Sequence, residues 1–217
     1  MPVNSGRRPA VGRLHVITDY HFQQRFTHAE LARQAATGGA DTVQFRQKRG
    51  ALRHVVHQAK ETAAVCTSVG VPLIINDHVA VAVAVGAAGV HLGADDFPVA
   101  AARRVLGEAF LIGATATTRE AAVAAAECGA DYVGFGPVFA TRSKDNPASV
   151  KGVEALAFLC QAVAVPVIAI GGITAARVEE VLGAGAHGMA VMTAVTNSDD
   201  PFRAASLFRE MIEKYRR

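Results

Sequence analysis

Eight short runs of apolar and β-branched residues recur along this chain, at residues 14–18, 42–46, 73–76, 89–92, 111–114, 132–135, 167–170 and 188–192. Between them lie Ala-, Leu- and Val-rich stretches with helical spacing, at 29–37, 52–69, 119–128, 153–163 and 175–182. A last helix is predicted over 200–215, with Pro201 at its start. Near-continuous apolar strands belong to parallel sheets covered on both faces. Eight strand–helix alternations within 217 residues predict the α/β class and a single (β/α)8 TIM barrel over residues 14–217. A doubly wound open sheet would alternate in the same way, but the closing units favour the barrel. Ile170-Gly171-Gly172-Ile173 follows the seventh run and Val191-Met192-Thr193 closes the eighth, the two places where barrels commonly grip a phosphate with backbone amides.

Glycines mark the expected helix ends in Gly38-Gly39-Ala40-Asp41, Gly86-Ala87-Ala88-Gly89, Cys128-Gly129-Ala130-Asp131 and Gly183-Ala184-Gly185-Ala186. A glycine just past a helix supplies the left-handed cap, so the recurrence reads as a structural device. Residues 1–13 contain Arg7 and Arg8 but no apolar signal-peptide core, and a disordered leader is expected there. No stretch of about 18 apolar residues is free of charges and turn signals, so no membrane span is expected. A formal charge of +3, without basic runs interleaved with aromatics, does not suggest a nucleic-acid binder. Small phosphorylated molecules are the expected partners, and a homo-oligomer is compatible with the sequence. Cys66, Cys128 and Cys160 are odd in number and widely spaced; they make neither a metal spacing nor a disulfide framework, and the expected location is the cytoplasm.

The chemistry-bearing residues follow the apolar runs, where α/β folds gather their functional groups. Asp77 follows Leu73-Ile74-Ile75-Asn76, and Asp96 follows Val90-His91-Leu92-Gly93 by three residues. Two carboxylates on one rim suit Mg2+, which takes one or two carboxylates together with phosphate oxygens and water. Taken alone, capping is the commoner explanation: Asp77 for a helix beginning at His78, and Asp95 or Asp96 for the one after Pro98. In Gln44-Phe45-Arg46-Gln47-Lys48, strand alternation sends Gln44 and Arg46 to the barrel mouth and Phe45 away from it. Arg46 offers a fork for phosphate and Lys48 a point charge; an ordinary solvated loop is the alternative. Thr141-Arg142-Ser143-Lys144 lies in a long loop between Gly136 and Gly152, either an anion cradle or a polar loop. Gly171 and Gly172 permit a ligand to approach the backbone closely. No Ser-His-Asp order, Cys-His pair or zinc spacing is present, and His91 reads as a supporting or core residue. The expected chemistry is therefore positioning and charge stabilisation.

In order, Val43-Gln44-Phe45-Arg46-Gln47-Lys48, Ile75-Asn76-Asp77, His91-Leu92-Gly93 with Asp96, Gly134-Phe135-Gly136-Pro137-Val138-Phe139, residues 141–144 and Ala169-Ile170-Gly171-Gly172-Ile173 resemble the thiamine phosphate synthase family. The resemblance covers nearly the whole chain after Arg13. It implies a transferase that joins 4-amino-2-methyl-5-hydroxymethylpyrimidine diphosphate to 4-methyl-5-hydroxyethylthiazole phosphate and releases pyrophosphate, in a Mg2+-assisted dissociative substitution. By similarity, Gln44, Arg46, Lys48, Asn76 and Lys144 hold the pyrimidine diphosphate, and Asp77 and Asp96 hold Mg2+. Thr141, Ser143, Gly172, Met192 and Thr193 hold the thiazole phosphate, with Gly171 beside them. Thr115 keeps the hydroxyl of a serine that the family uses for pyrophosphate. The family usually has Gln where this chain has Ala94, and His where it has Thr117. The related thiazole tautomerases commonly keep that His and lose the metal and diphosphate residues, the reverse of the pattern here. A barrel that binds thiamine precursors without turnover is a third reading, favoured by Ala94 and Thr117 alone.

Overall fold

The computed structural model describes residues 8–141, 143 and 149–215. Eight parallel strands close into one barrel in chain order, β8 returning to β1 with Leu14 opposite Met189. The strands are β1 (Leu14–Asp19), β2 (Thr42–Arg46), β3 (Leu73–Asn76), β4 (Gly89–Leu92), β5 (Leu111–Ala116), β6 (Tyr132–Phe135), β7 (Val167–Ile170) and β8 (Gly188–Val191). Helices α1 (His28–Thr37), α2 (Leu52–Val69), α3 (Val79–Val85), α4 (Val99–Leu106), α5 (Arg119–Glu127), α6 (Gly152–Cys160), α7 (Val178–Gly183), α8 (Thr193–Thr196) and α9 (Pro201–Tyr215) surround it. The stretch read as one helix over 175–182 divides into a 3-10 turn, Ala175–Arg177, and α7. β8 stops one residue short of its predicted end because Met192 leaves the extended region and leads into α8. Among the described residues, no helix is long and apolar enough to cross a membrane.

Alternation along the strands builds two different surfaces. Outward residues such as Val43, Phe45, Ile75, Val90 and Ile112 are buried against Val55, Ala59, Val81 and Ala102 of the helices. Leu14, Val16, Val133, Phe135 and Val167 do the same on the other side, against Leu156, Val181 and Phe208. Burying one such side chain contributes about 1.5–3 kcal/mol, so this belt is the main source of stability. The inward face is mixed: Ile17, Ile168 and Ala190 pack around Tyr132, while His15, Gln44, Asn76 and Thr115 bring polar atoms inside. α3 is a local exception to pattern reading, since Val79-Ala80-Val81-Ala82-Val83-Ala84-Val85 alternates like a strand. Its helical form buries the adjacent pair Val81 and Ala82, and Gly86 closes it in the left-handed conformation at φ 65°.

The recurrent glycine turns do equivalent work at the base of the barrel. The residue preceding each even strand donates its N–H to an odd-strand carbonyl: Asp41 to Leu14, Ala88 to Leu73, Asp131 to Ile112 and His187 to Val167. At two of the four turns an Asp side chain completes the clamp. Asp41 accepts the Leu14 N–H at 2.9 Å and pairs with Arg209 of α9, which also donates to Gly39 O. Asp131 accepts the Ile112 N–H at 2.7 Å and pairs with Arg103 of α4, which also donates to Gly129 O. Burial opposes ionisation of Asp41, but the Leu14 and Arg13 N–H groups and the Arg209 guanidinium outweigh it and hold the carboxyl below its ordinary range. Of the leader expected over residues 1–13, residues 1–7 lie outside the described residues. Residues 8–13 run across the barrel base, where Arg8 pairs with Asp131 and Glu108 and Arg13 N–H donates to Asp41.

Candidate active site

At the carboxyl ends of the strands a cavity of about 450 Å3 opens. Its acidic side is built from β2, β3 and β4. Arg46, the last residue of β2, is held by Asp19, the last residue of β1, which is only 2 % exposed. The Asp19 carboxylate also accepts the His21 N–H at 2.7 Å, so the guanidinium is fixed by an anchored partner. Two residues further on, Lys48 places its Nζ 2.9 Å from Asp77 Oδ2.

Asp77 itself is held at φ 63°, the only non-glycine with positive φ among the described residues. Its N–H donates to His91 O at 2.8 Å, tying the end of β3 to β4. Asp96 folds back so that its carboxylate accepts the Gly93 N–H at 2.7 Å. A Cβ on residue 93 would lie 2.6 Å from that oxygen, so glycine is what admits the fold-back. Neither acid caps a helix: His78 and Pro98 hold the cap positions of α3 and α4, and neither helix has a side-chain cap bond.

The carboxyls of Asp77 and Asp96 face each other, and each affects the ionisation of the other. Burial and the facing Asp96 push the Asp77 carboxyl above its ordinary range, against the pull of Lys48. Burial works the same way on Asp96. There the facing Asp77, the hydrogen bond from the Gly93 N–H and the Lys48 charge outweigh it and hold that carboxyl low. Among the described residues of this rim, three carboxylates therefore face the two cations Arg46 and Lys48. The excess of negative charge fits a divalent cation. Two carboxylates are too few for a closed protein cage, and no cluster of three or more metal-ligating side chains occurs among the described residues.

The floor is a hydrogen-bonded chain. Thr115 Oγ1 lies 2.9 Å from His91 Nε2, and His91 Nδ1 lies 3.2 Å from the Tyr132 hydroxyl. Room for the two rings comes from glycines: a Cβ on Gly113 would strike Tyr132 at 2.1 Å, and one on Gly134 would crowd His91 at 3.0 Å. His15, behind Tyr132, donates its Nε2–H to Gly12 O at 3.0 Å, and burial pushes its pKa down to about 4.

The opposite rim comes from β6, β7 and β8 and carries hydroxyls and backbone. Thr141 Oγ1 donates to Ser143 Oγ at 3.1 Å, and Ser143 Oγ lies 3.1 Å from Thr193 Oγ1 at the start of α8. Gly171 and Gly172 both have positive φ, at 99° and 64°. A Cβ on Gly172 would sit 2.4 Å from Ala140 O, and one on Gly171 2.5 Å from the Pro137 side chain. Met192 lines the wall between the two rims.

Every described residue expected from the sequence lines this one cavity: Gln44, Arg46, Lys48, Asn76, Asp77, Asp96, Thr115, Thr141, Ser143, Gly171, Gly172, Met192 and Thr193. Lys144 and Arg142 lie outside the described residues. Ala94 also lines the cavity, whereas Thr117 is exposed and away from it. Asp19 and Tyr132 were not singled out by sequence reasoning. Asp19 ends an apolar run as Asp77 nearly does, and that was a usable signal; a tyrosine inside a strand carries none.

The model of the thiamine monophosphate synthase family matches residues 14–195. The thiamine-phosphate synthase of Salinibacter ruber is 55 % identical over 204 residues, covering 94 % of this chain and 90 % of its own. That of Methanoculleus marisnigri is 47 % identical over 199 residues, covering 92 % and 94 %. Among solved structures, a thiamine phosphate pyrophosphorylase from Pyrococcus furiosus superposes with a TM-score of 0.85 at 35 % identity, covering 94 % of this chain and 96 % of its own. With its closed barrel, its convergent rims and relatives at this identity across nearly its full length, the chain belongs to the thiamine monophosphate synthase family.

Proposed function

We propose that this chain condenses 4-amino-2-methyl-5-hydroxymethylpyrimidine diphosphate with 4-methyl-5-hydroxyethylthiazole phosphate to give thiamine phosphate and pyrophosphate. The observation that carries the reading is the division of one cavity into an acidic rim with two cations and a facing rim of hydroxyls and glycine backbone. One side suits a metal-bridged diphosphate and the other a singly phosphorylated partner. In this reading Asp77 and Asp96 hold Mg2+, which when bound offsets the diphosphate charge as a Lewis acid. Arg46, Lys48 and Lys144 neutralise the phosphate oxygens, Gln44 and Asn76 orient the pyrimidine, and Thr115 donates to the leaving pyrophosphate. Thr141, Ser143, Thr193 and the backbone of Gly171, Gly172 and Met192 hold the thiazole phosphate.

The chemistry follows from these placements. The bond between the pyrimidine methylene carbon and the diphosphate oxygen breaks with its electron pair going to pyrophosphate, and the methylene cation is stabilised by the amino-pyrimidine ring. The thiazole nitrogen then donates its lone pair to that carbon. No proton needs to be removed, so fixed charge matters more than a general base. Asp19 contributes by holding the Arg46 guanidinium in one orientation before substrate arrives. Thr117, exposed and absent from the cavity lining, has no role in this reading.

Purified protein supplied with both substrates and Mg2+ is expected to form thiamine phosphate and pyrophosphate in equal amounts. Failure to form either product with Mg2+ or Mn2+ would sink the reading.

A further inference from the structure

Three consecutive carbonyls of the glycine turn are occupied from the same direction. Ile170 O accepts the Val138 N–H at 2.9 Å, Gly171 O accepts the Phe139 N–H at 3.0 Å, and Gly172 O accepts Arg177 Nη1 at 3.0 Å. In a trans peptide the C=O and the following N–H point in opposite directions. Engaging these carbonyls from the 137–139 and Arg177 side turns the N–H groups of Gly171, Gly172 and Ile173 the other way. All three residues line the cavity. The result is a row of donors of the kind that makes an anion-binding concavity.

Two of the three bonds are extensions of strand pairing between β6 and β7. The third depends on one side chain. Arg177 ends the 3-10 turn, and its guanidinium carbon lies 4.1 Å from the centroid of the Phe139 ring. The stack fixes the plane of the guanidinium and leaves Nη1 aimed at Gly172 O. Phe139 also supplies the N–H that holds Gly171 O, so a single residue supports two of the three peptide planes. Positive φ at both glycines gives these planes other orientations they could adopt, and contacts rather than intrinsic preference must select this one.

We propose that Arg177 is a positioning residue for the phosphate of the thiazole substrate, acting by locking the Gly172–Ile173 peptide with its N–H toward the cavity. The proposal rests on the synthase reading for the identity of the phosphate, but not for the presence of an anion site.

The test compares wild type with Arg177→Gln and Arg177→Lys. Arg177→Gln is expected to raise KM for the thiazole phosphate about tenfold, the size of one lost charge-assisted hydrogen bond. KM for the pyrimidine diphosphate is expected to stay within about twofold, because those contacts lie on the opposite rim. Arg177→Lys keeps the charge without the stacked fork and is expected to recover only part of the loss. Phe139→Leu removes the stack alone and is expected to move KM the same way, which covers the case in which Arg177→Gln does not fold. Unchanged KM values, or an equal rise in both, overturn the proposal. Calorimetric titration of the folded proteins with inorganic phosphate reads the anion site without turnover. Weaker binding in Arg177→Gln supports the proposal even if wild type makes no thiamine phosphate; equal affinities, or no phosphate binding by wild type, overturn it.

Discussion

The two rims of the cavity, each proposed to hold a phosphate group, are built in different ways. The acidic rim uses charged side chains at strand ends: Arg46 pinned by Asp19, Lys48 against Asp77, and Asp96 folded over Gly93. The facing rim uses hydroxyls and peptide groups, with Thr141, Ser143 and Thr193 linked in series beside Gly171 and Gly172. In the proposed reaction, charge is concentrated where the bond breaks and a leaving group must be stabilised. A rim that only has to position a nucleophile needs shape more than charge, and amides held by surrounding contacts provide it.

The largest effect is expected at the acidic rim. Asp77→Ala should lower kcat/KM about a thousandfold, the scale of a lost electrostatic element in an active site. Its melting temperature should fall by only a few degrees, because alanine tolerates the left-handed backbone at residue 77 somewhat less well than aspartate. A full-rate or unfolded variant would break the contrast between the rims. Asp19→Asn should cost roughly ten- to hundredfold in kcat/KM, the range for a group that orients a ligand-contacting residue. The loss should fall mainly on the pyrimidine diphosphate; a loss confined to the thiazole phosphate would assign Arg46 to the wrong rim.

Gly172→Ala tests the facing rim. Its Cβ would meet Ala140 O at 2.4 Å in a backbone with φ 64°. We expect a several-fold higher KM for the thiazole phosphate and about 1–2 kcal/mol of lost stability in denaturant titrations. Equal damage to both KM values would argue that the rims are not separate.

The response to acid should belong to neither rim. Burial, only partly countered by hydrogen bonding, holds the pKa of His15 and of His28 down to about 4, against 6.5 for an exposed histidine. The unfolded chain then takes up protons first as pH falls. Stability from these two residues is therefore full above about pH 6.5 and declines toward pH 4, by at most ~1.4 kcal/mol per pH unit for each. Urea midpoints measured across that window should fall, and His28→Gln should make the slope shallower; a flat profile would show that these imidazoles are not buried uncharged. The smallest effect is expected for Thr117→His, whose position is exposed and off the cavity. Its kcat/KM should stay within about twofold of wild type, and a larger change would extend the acidic rim to β5.

Much of the acidic rim was legible because it is made of side chains. Arg46, Lys48, Asn76 and Asp77 lie at or just past the ends of apolar runs, and strand alternation alone places Gln44 and Arg46 at the mouth. What was not legible there is partnership. From the residues alone capping was the commoner explanation of Asp77 and Asp96, but the backbone places both off the cap positions and brings their carboxyls face to face. Asp19 was missed because its partner lies 27 residues away, on the neighbouring strand. A helix beginning at His78 was expected after β3, although Val79–Val85 alternates like a strand; burial of the adjacent pair Val81 and Ala82 is what the helical form achieves.

The sequence by itself determined the eightfold alternation, the glycine turns and the identity of the groups that reach the mouth, because strand and helix periods are local properties of the chain. Tertiary structure alone decided that His91 joins Thr115 to Tyr132, that Gly113 and Gly134 make room for those rings, and that three carbonyls of the glycine turn face away from the cavity. Each of these depends on which atoms of distant strands come within hydrogen-bonding or van der Waals reach once the barrel closes.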